Sequence, residues 1–261
     1  MQPKKETLIF AHRGANQEAA ENTRAAFDRA LQYPIDGMET DIQLTRDEVA
    51  VLWHDRFLGK LGHPTKHIDD FDFASLREMN FAAHFATTHP SVDAKPESVM
   101  SLDEFLVAYR TRTRLLLEIK NRDWEDVARH QIKVRQTLSS VGETREEAIY
   151  ISSFNLTSLI YAHQCRPGFP LIYNLEDYQT IDDMRTVLSA QPFLHGLCFP
   201  IANLDQAVVN LLRAQGKSIA VYTCNSDEEI GLALSLQVDI LISDLPQKAL
   251  QMRDAWQMRA A

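Results

Sequence analysis

The chain has 261 residues, of which 45% are hydrophobic and 24% are charged, values that are typical of a globular protein and exclude wholesale disorder. Its formal net charge is −9 and it contains no basic run, so contacts with a nucleic-acid backbone are not expected. An anionic ligand would be repelled by the protein as a whole, and any site for one must therefore be locally positive.

Targeting and redox signals point to the cytoplasm. The apolar run near the N-terminus, Leu8–Ala11, is shorter than the about 7–15 residues of a signal peptide. No segment approaches the about 20 apolar residues of a membrane span, so stable membrane insertion is not expected. The three cysteines, Cys165, Cys198 and Cys224, cannot all pair and have no C-x-x-C spacing, which fits a reducing compartment. The oligomeric state stays open.

Eight short apolar segments have the composition of β-strands. In chain order they are Leu8–His12, Gly37–Thr45, Arg114–Lys120, Ala148–Ser153, Pro170–Leu175, Gly196–Pro200, Ser218–Cys224 and Asp239–Ser243. Helical apolar spacing follows most of them, as at residues 24–32, 124–138, 205–215 and 227–236. Because each helix makes the crossover between parallel strands, eight such units predict one (β/α)8 TIM-barrel domain over residues 1–261. An open doubly wound sheet is the alternative, but the turn at Gly14 lacks its G-x-G-x-x-G pattern.

The alternation is interrupted between about residues 56 and 101. A short strand is predicted just before this segment, at Val49–Trp53. The segment itself contains no clear strand–helix unit, and we interpret it as a small insertion after the second strand, over one face of the barrel. It either helps to form a substrate lid or is purely structural. Its four histidines are not expected to bind a metal, since Pro64 disfavours helical spacing of the first pair and no cysteine is near.

Charged residues alternate with apolar ones near the ends of the first strands. Glu39 and Asp41 do so on the second predicted strand, Glu118 and Lys120 on the third, and His12 ends the first. Residues two apart on a strand share a face. Since the apolar row must pack against the helices, we expect the charged row to point into the mouth of the barrel, where barrel enzymes carry their chemistry.

Three carboxylates in one barrel mouth would repel one another unless a cation lay among Glu39, Asp41 and Glu118. An internal ion pair, such as Glu118 with Lys120, is the structural alternative, although buried pairs of this kind contribute little to stability. Oxygen ligands favour a hard divalent cation, Mg²⁺ or Ca²⁺. Adding +2 from the metal, +2 from Arg13 and Lys120 and −3 from the carboxylates leaves +1, which would hold a singly charged phosphodiester.

Several motifs follow one another in a characteristic order. They are Ala11-His12-Arg13-Gly14, Glu21-Asn22-Thr23, Glu39-Thr40-Asp41, His54-Asp55, Leu117-Glu118-Ile119-Lys120, Ser152-Ser153-Phe154 and Ser243-Asp244. In order and spacing they resemble the glycerophosphodiester phosphodiesterase family over nearly the whole chain. Two segments depart from the family pattern. Tyr222-Thr223 stands where the family usually has Trp-Thr, and Arg56-Phe57-Leu58-Gly59-Lys60 replaces a Thr-rich start of the insertion.

The resemblance implies a (β/α)8 barrel with a small insertion after the second strand. It also implies a role for each strand-end residue: His12 and His54 as general acid/base pair, Arg13 and Lys120 as phosphate ligands, and Glu39, Asp41 and Glu118 as ligands of one divalent cation. The expected reaction, part of lipid and glycerol metabolism, hydrolyses a glycerophosphodiester to sn-glycerol 3-phosphate and an alcohol. The glycerol hydroxyl would be the first nucleophile, and water would then open the cyclic intermediate.

Two other functions fit the same residues. A related barrel phosphodiesterase that cleaves a phosphoinositide, sphingomyelin or another phospholipid would release a cyclic phosphate as its final product. An export signal or an apolar surface for the bilayer would be expected of such a lipase, and the sequence shows neither. A barrel that binds glycerophosphodiesters without turning them over is the third possibility, but the intact set of two histidines and three carboxylates favours an enzyme.

Overall fold

The computed structural model describes residues 6–143 and 148–260, without the side chains of residues 259 and 260. Its strands are β1 (Leu8–His12), β2 (Gly37–Leu44), β3 (Ala50–Leu52), β4 (Arg114–Ile119), β5 (Ile149–Ser153), β6 (Leu171–Asn174), β7 (Gly196–Pro200), β8 (Ser218–Tyr222) and β9 (Ile240–Ser243). Each of the eight predicted segments contains one strand, and β3 is the additional strand expected before the insertion. The predicted strand positions are therefore confirmed.

Helices alternate with these strands. They are α1 (Arg24–Ala30), α2 (Phe73–Arg77), α3 (Ala83–Thr88), α4 (Leu102–Tyr109), α5 (Val127–Val141), α6 (Leu156–Cys165), α7 (Ile181–Ala190), α8 (Gln206–Ala214), α9 (Asp227–Ser235) and α10 (Pro246–Ala260). Side-chain caps determine where several of them begin. Asp126, for example, accepts from the backbone N–H of Arg129, so α5 begins later than the apolar spacing from Trp124 predicts. None of the helices in the described residues is long and apolar enough to cross a membrane.

Eight parallel strands close into a barrel. Hydrogen bonds run in the order β1, β9, β8, β7, β6, β5, β4 and β2, and β2 also pairs with β1. The short strand β3 is antiparallel to the end of β2. The (β/α)8 prediction is confirmed, and the open doubly wound sheet is wrong because this ring of strands has no open ends.

Strand alternation divides the apolar side chains between two layers. Met38 and Leu117 belong to the large cluster that includes residues of the surrounding helices. Phe10 and Leu116 belong to a second cluster, formed by strand residues from around the ring, which fills the barrel interior. Because residues two apart share a face, Glu118 points inward with Leu116, as predicted.

The insertion has a small hydrophobic core of its own. It contains α2, α3 and two short 3-10 turns, Gly59–Leu61 and Ile68–Asp70. Buried residues such as Leu58, Leu76 and Phe81 pack there with Trp53, which follows β3. Its helices have only five and six residues, which is too short for a clear apolar period. The insertion is thus anchored to the end of β2–β3, beside the mouth of the barrel.

Candidate active site

The three predicted carboxylates come together at the mouth of the barrel. One side-chain oxygen from each of Glu39, Asp41 and Glu118 lies within 4.8 Å of the other two. Glu39 and Asp41 belong to β2, and the register of the neighbouring strand β4 places Glu118 directly beside Asp41. All three residues are buried. Strand register alone therefore brings them together, as the alternation predicted.

Two cations pair with this cluster. Lys120 Nζ lies 2.5 Å from Glu118 Oε1 and 3.1 Å from Asp41 Oδ1. Arg13 Nε lies 3.0 Å from Asp41 Oδ2. Burial would raise the pKa of Asp41, but Lys120 and Arg13 outweigh it and hold that pKa well below its usual value. The internal ion pair considered from the sequence is therefore present, and Asp41 is fixed between two positive groups.

Glu39 is the carboxylate that these cations leave unbalanced. Its Oε2 atom is buried and accepts no hydrogen bond from the residues that the structure describes. The nearby His12 Nε2 lies 3.9 Å from it. Burial raises the pKa of Glu39 well above its usual value, and the charges of Asp41 and Glu118 raise it further. Three carboxylates against two cations leave one negative charge, so this oxygen cluster fits a divalent cation.

His12 is oriented by a carboxylate to which the sequence analysis gave no role. Its Nδ1 lies 2.6 Å from Asp244 Oδ1. The same carboxylate accepts hydrogen bonds from the side-chain amides of Asn16 and Asn225, at 2.5 and 2.7 Å. These three donors lower the pKa of Asp244 against the effect of its burial. The ionised Asp244 thus holds the His12 proton on Nδ1, which directs the lone pair of Nε2 into the site.

The protonation of His12 itself reflects opposing influences. Burial is the largest and lowers the pKa of its imidazole, and the positive charge of Arg13 acts in the same direction. Asp244 opposes both and only partly offsets them. The net shift favours the neutral ring near pH 7, which is the form that can accept a proton.

Replacing Asp244 with Asn would remove the charge that fixes the His12 tautomer. We expect D244N to lower kcat by about 100-fold, the loss that follows when a reacting group is misplaced by about 1 Å. The substitution keeps the size of the side chain but removes the charge to which three donors point, so the thermal unfolding midpoint should also fall and kcat is compared at a temperature where both proteins are folded. Steady-state kinetics on glycerophosphocholine would measure the effect, and a kcat equal to that of the unmodified enzyme would contradict it.

His54 lines the same cavity as His12. It follows β3, and its Nδ1 lies 2.9 Å from Asp55 Oδ1. Its backbone carbonyl accepts a hydrogen bond from Arg122. Each predicted histidine therefore has a carboxylate on Nδ1. For His54 the partner is the next residue, whereas His12 and Asp244 are separated by 232 positions.

One cavity of about 510 Å³ connects these groups. Its lining includes both histidines, both phosphate-binding candidates and two of the three carboxylates: His12, His54, Arg13, Lys120, Glu39 and Glu118. Tyr222, which stands where the resembled family has Trp, also lines it and donates a hydrogen bond to the Leu175 carbonyl at 2.6 Å. Phe154 lies edge-on to Tyr222, with 6.1 Å between ring centroids. The cavity thus combines a charged inner end with an aromatic wall.

Residues 12–248 match the glycerophosphoryl diester phosphodiesterase family. A glycerophosphodiester phosphodiesterase of Bacillus altitudinis is 28% identical over 262 residues, covering 95% of this chain and 98% of that protein. A phosphodiesterase of Oleispira antarctica has been solved in complex with the product sn-glycerol-3-phosphate. Its structure has a TM-score of 0.80 at 24% identity, and the match covers 95% of this chain and 97% of that chain. A glycerophosphodiester phosphodiesterase of Parabacteroides distasonis has a TM-score of 0.78 at 20% identity, and the match covers 99% of this chain and 100% of that chain.

The barrel fold and the family match together define the class of protein, an α/β-barrel hydrolase. The chain belongs to the glycerophosphoryl diester phosphodiesterase family and is an enzyme with glycerophosphodiester phosphodiesterase activity. The resemblance found in the sequence is therefore confirmed, and a barrel that only binds its ligand is excluded. The roles of the individual residues stay predictions, which the geometry of the cavity supports.

Proposed function

We propose that this enzyme hydrolyses glycerophosphodiesters to sn-glycerol 3-phosphate and an alcohol, with one divalent cation and two histidines. The observation that carries the proposal is the shared cavity, where both histidines, Arg13 and Lys120 lie beside a buried oxygen cluster. The Oleispira antarctica relative, with sn-glycerol-3-phosphate bound as its product, supports the same reaction here. The alcohol leaves from a cavity with an aromatic wall at Tyr222.

The first step forms one P–O bond and breaks another. The glycerol hydroxyl next to the phosphate attacks phosphorus, one histidine takes its proton, and the other histidine gives a proton to the departing alcohol. The product of this step is a cyclic phosphodiester. In the second step water attacks phosphorus and the ring opens, with the two histidines exchanging roles, so that each regains its starting protonation state.

Charged groups of the chain stabilise these steps. Arg13 and Lys120 would bind the phosphoryl oxygens, and their contacts with Asp41 fix them before the substrate arrives. Glu39, Asp41 and Glu118 would hold the cation. When bound, it supplies Lewis-acid charge that lowers the pKa of the attacking hydroxyl. With that charge included, the inner group of three carboxylates and two cations carries a net charge of +1, on a protein of net charge −9.

A turnover assay with phosphorus NMR tests the proposal. Enzyme supplied with Mg²⁺ or Ca²⁺ is expected to convert glycerophosphocholine or glycerophosphoethanolamine to sn-glycerol 3-phosphate. Removal of metal with EDTA should abolish turnover, and one of the two ions should restore it. Activity that survives in a preparation shown to be metal-free would contradict the metal role. A cyclic phosphate as final product would instead indicate the phospholipase type of reaction.

We also propose that the chain acts as one barrel domain in the cytoplasm. All three cysteines are free, and Cys198 and Cys224 are buried, as expected for a protein of a reducing compartment. The net charge of −9 disfavours contacts with a nucleic-acid backbone. Mass spectrometry of the intact protein from cytosol, with the thiols labelled, would test the redox state.

A further inference from the structure

The insertion contributes one cation to the edge of the active site. Lys60 lies in the 3-10 turn Gly59–Leu61, which ends at Gly62 in the left-handed conformation with φ of 84°. The residue before this turn, Leu58, is fully buried in the core of the insertion. The backbone of Lys60 is thereby fixed to the insertion, while its side chain reaches the barrel.

The ammonium group of Lys60 bridges two carboxylates. Its Nζ lies 2.6 Å from Glu21 Oε1 and 3.0 Å from Asp55 Oδ2. The second oxygen of each carboxylate contacts a group of the active site. Glu21 Oε2 lies 2.9 Å from Arg13 Nη1, and Asp55 Oδ1 lies 2.9 Å from His54 Nδ1. A continuous chain of contacts therefore joins the phosphate ligand to the second histidine.

The ammonium group of Lys60 also balances the negative charges of these two carboxylates. Glu21 and Asp55 approach each other closely, since a carboxylate oxygen of one lies within 4.8 Å of a carboxylate oxygen of the other. Burial would lower the pKa of Lys60, but the two carboxylates outweigh it and raise that pKa, so the side chain stays charged. Without this charge the carboxylates would repel each other and turn away from Arg13 and His54.

We propose that Lys60 is a positioning residue, through which the insertion holds His54 and Arg13 in their catalytic geometry. Through Asp55 it keeps the His54 proton on Nδ1, so that Nε2 is available to the substrate. Through Glu21 it orients the guanidinium of Arg13. The inference rests on the proposed function and assigns to the insertion a task in catalysis beyond covering the barrel.

Kinetics of K60M test this role. We expect kcat to fall by about 10- to 100-fold, since small displacements of reacting groups cost this much. K60R, which keeps the charge, should recover most of the rate and also serves if K60M folds poorly. Lys66 offers a matched control within the insertion, because its side chain is 54% exposed and 4.0 Å from Asp70. K66M should therefore match the unmodified enzyme.

A mutant cycle distinguishes positioning from general stabilisation. Because Lys60 is proposed to act through both carboxylates, K60M should lower kcat by less than about threefold when D55N and E21Q are already present, since groups in one network are not additive. A merely structural ion pair would instead lower the free energy of unfolding and leave the kcat of the folded enzyme unchanged. Independent effects in the cycle, or an unchanged kcat in K60M, would overturn the proposal.

A measurement that needs no turnover separates this inference from the proposed function. The ring nitrogens of His54, assigned with an H54N variant, should show one tautomer by long-range ¹H–¹⁵N NMR and a mixture of tautomers in K60M. A single unchanged tautomer in K60M would contradict the positioning role even if the enzyme is active. Conversely, an enzyme that hydrolyses no glycerophosphodiester would overturn the proposed function, while this spectrum would still decide on Lys60.

Discussion

Replacing either cavity histidine with alanine is expected to lower kcat on glycerophosphocholine by about 10²–10⁴-fold, the usual contribution of one general acid or base. The reason is geometric. His12 and His54 line the same cavity, and each has a carboxylate on Nδ1 that directs Nε2 toward the substrate. Both steps of the reaction use both histidines, so each single variant should be slow in each step. KM should change much less than kcat, because neither ring is needed to bind the phosphate.

The control for these variants is a histidine remote from the cavity. His163 lies on α6 and stacks on Phe193, with 4.2 Å between ring centroids. H163A removes the same side chain and should leave turnover unchanged. Steady-state kinetics with phosphorus NMR of the products would compare the three variants. Near-normal turnover in both H12A and H54A would contradict the acid/base assignment.

Strand alternation was sufficient to predict which charged residues meet. The period of two in β2 and β4 is local, so Glu39, Asp41 and Glu118 could be placed on the inner face before any tertiary structure was known. The closed barrel was predictable for the same reason, since eight strand–helix units leave few arrangements. These features depend on short stretches of sequence, each of which carries its own signal.

The contacts that orient the histidines could not be predicted in this way. Asp244 meets His12 only because the last and first strands of the barrel are neighbours, β9 beside β1. A clue existed, since Ser243-Asp244 follows a strand at the same end of the barrel as the other site residues. Lys60 gave no such signal, because the insertion has no regular period and its path depends on the packing of residues such as Leu58.

Replacing Glu39 with Gln is expected to have the second large effect and to change activity and stability in opposite directions. E39Q should lower kcat/KM by more than about 100-fold, since losing a direct metal ligand costs more than the about 10- to 100-fold loss typical of outer-shell groups. The same variant should be more stable than the unmodified enzyme when both are metal-free. Its amide removes a buried negative charge that Asp41 and Glu118 repel.

The pH dependence of unfolding would reveal this charge. Folding raises the pKa of Glu39, so the contribution of this residue to the stability of the metal-free protein is full below the ordinary glutamate pKa of about 4.3, where its carboxyl is protonated in both states. The contribution is lost as the pH rises through the folded-state value. Thermal melts in EDTA from pH 5 to 8 should therefore show a decline that E39Q lacks.

At the upper end of that range E39Q should melt about 2–4 °C higher than the unmodified protein, a shift that corresponds to about 1 kcal/mol in a chain of this size. E78Q, which removes one exposed carboxylate from the insertion, is the control for net charge.

Added Mg²⁺ or Ca²⁺ should raise the melting temperature of the unmodified protein far more than that of E39Q. Equal metal responses would contradict Glu39 as a ligand. A less stable metal-free E39Q would show that its buried charge is balanced in some other way, whereas the expected result means that the site keeps a destabilising carboxylate because the cation requires it.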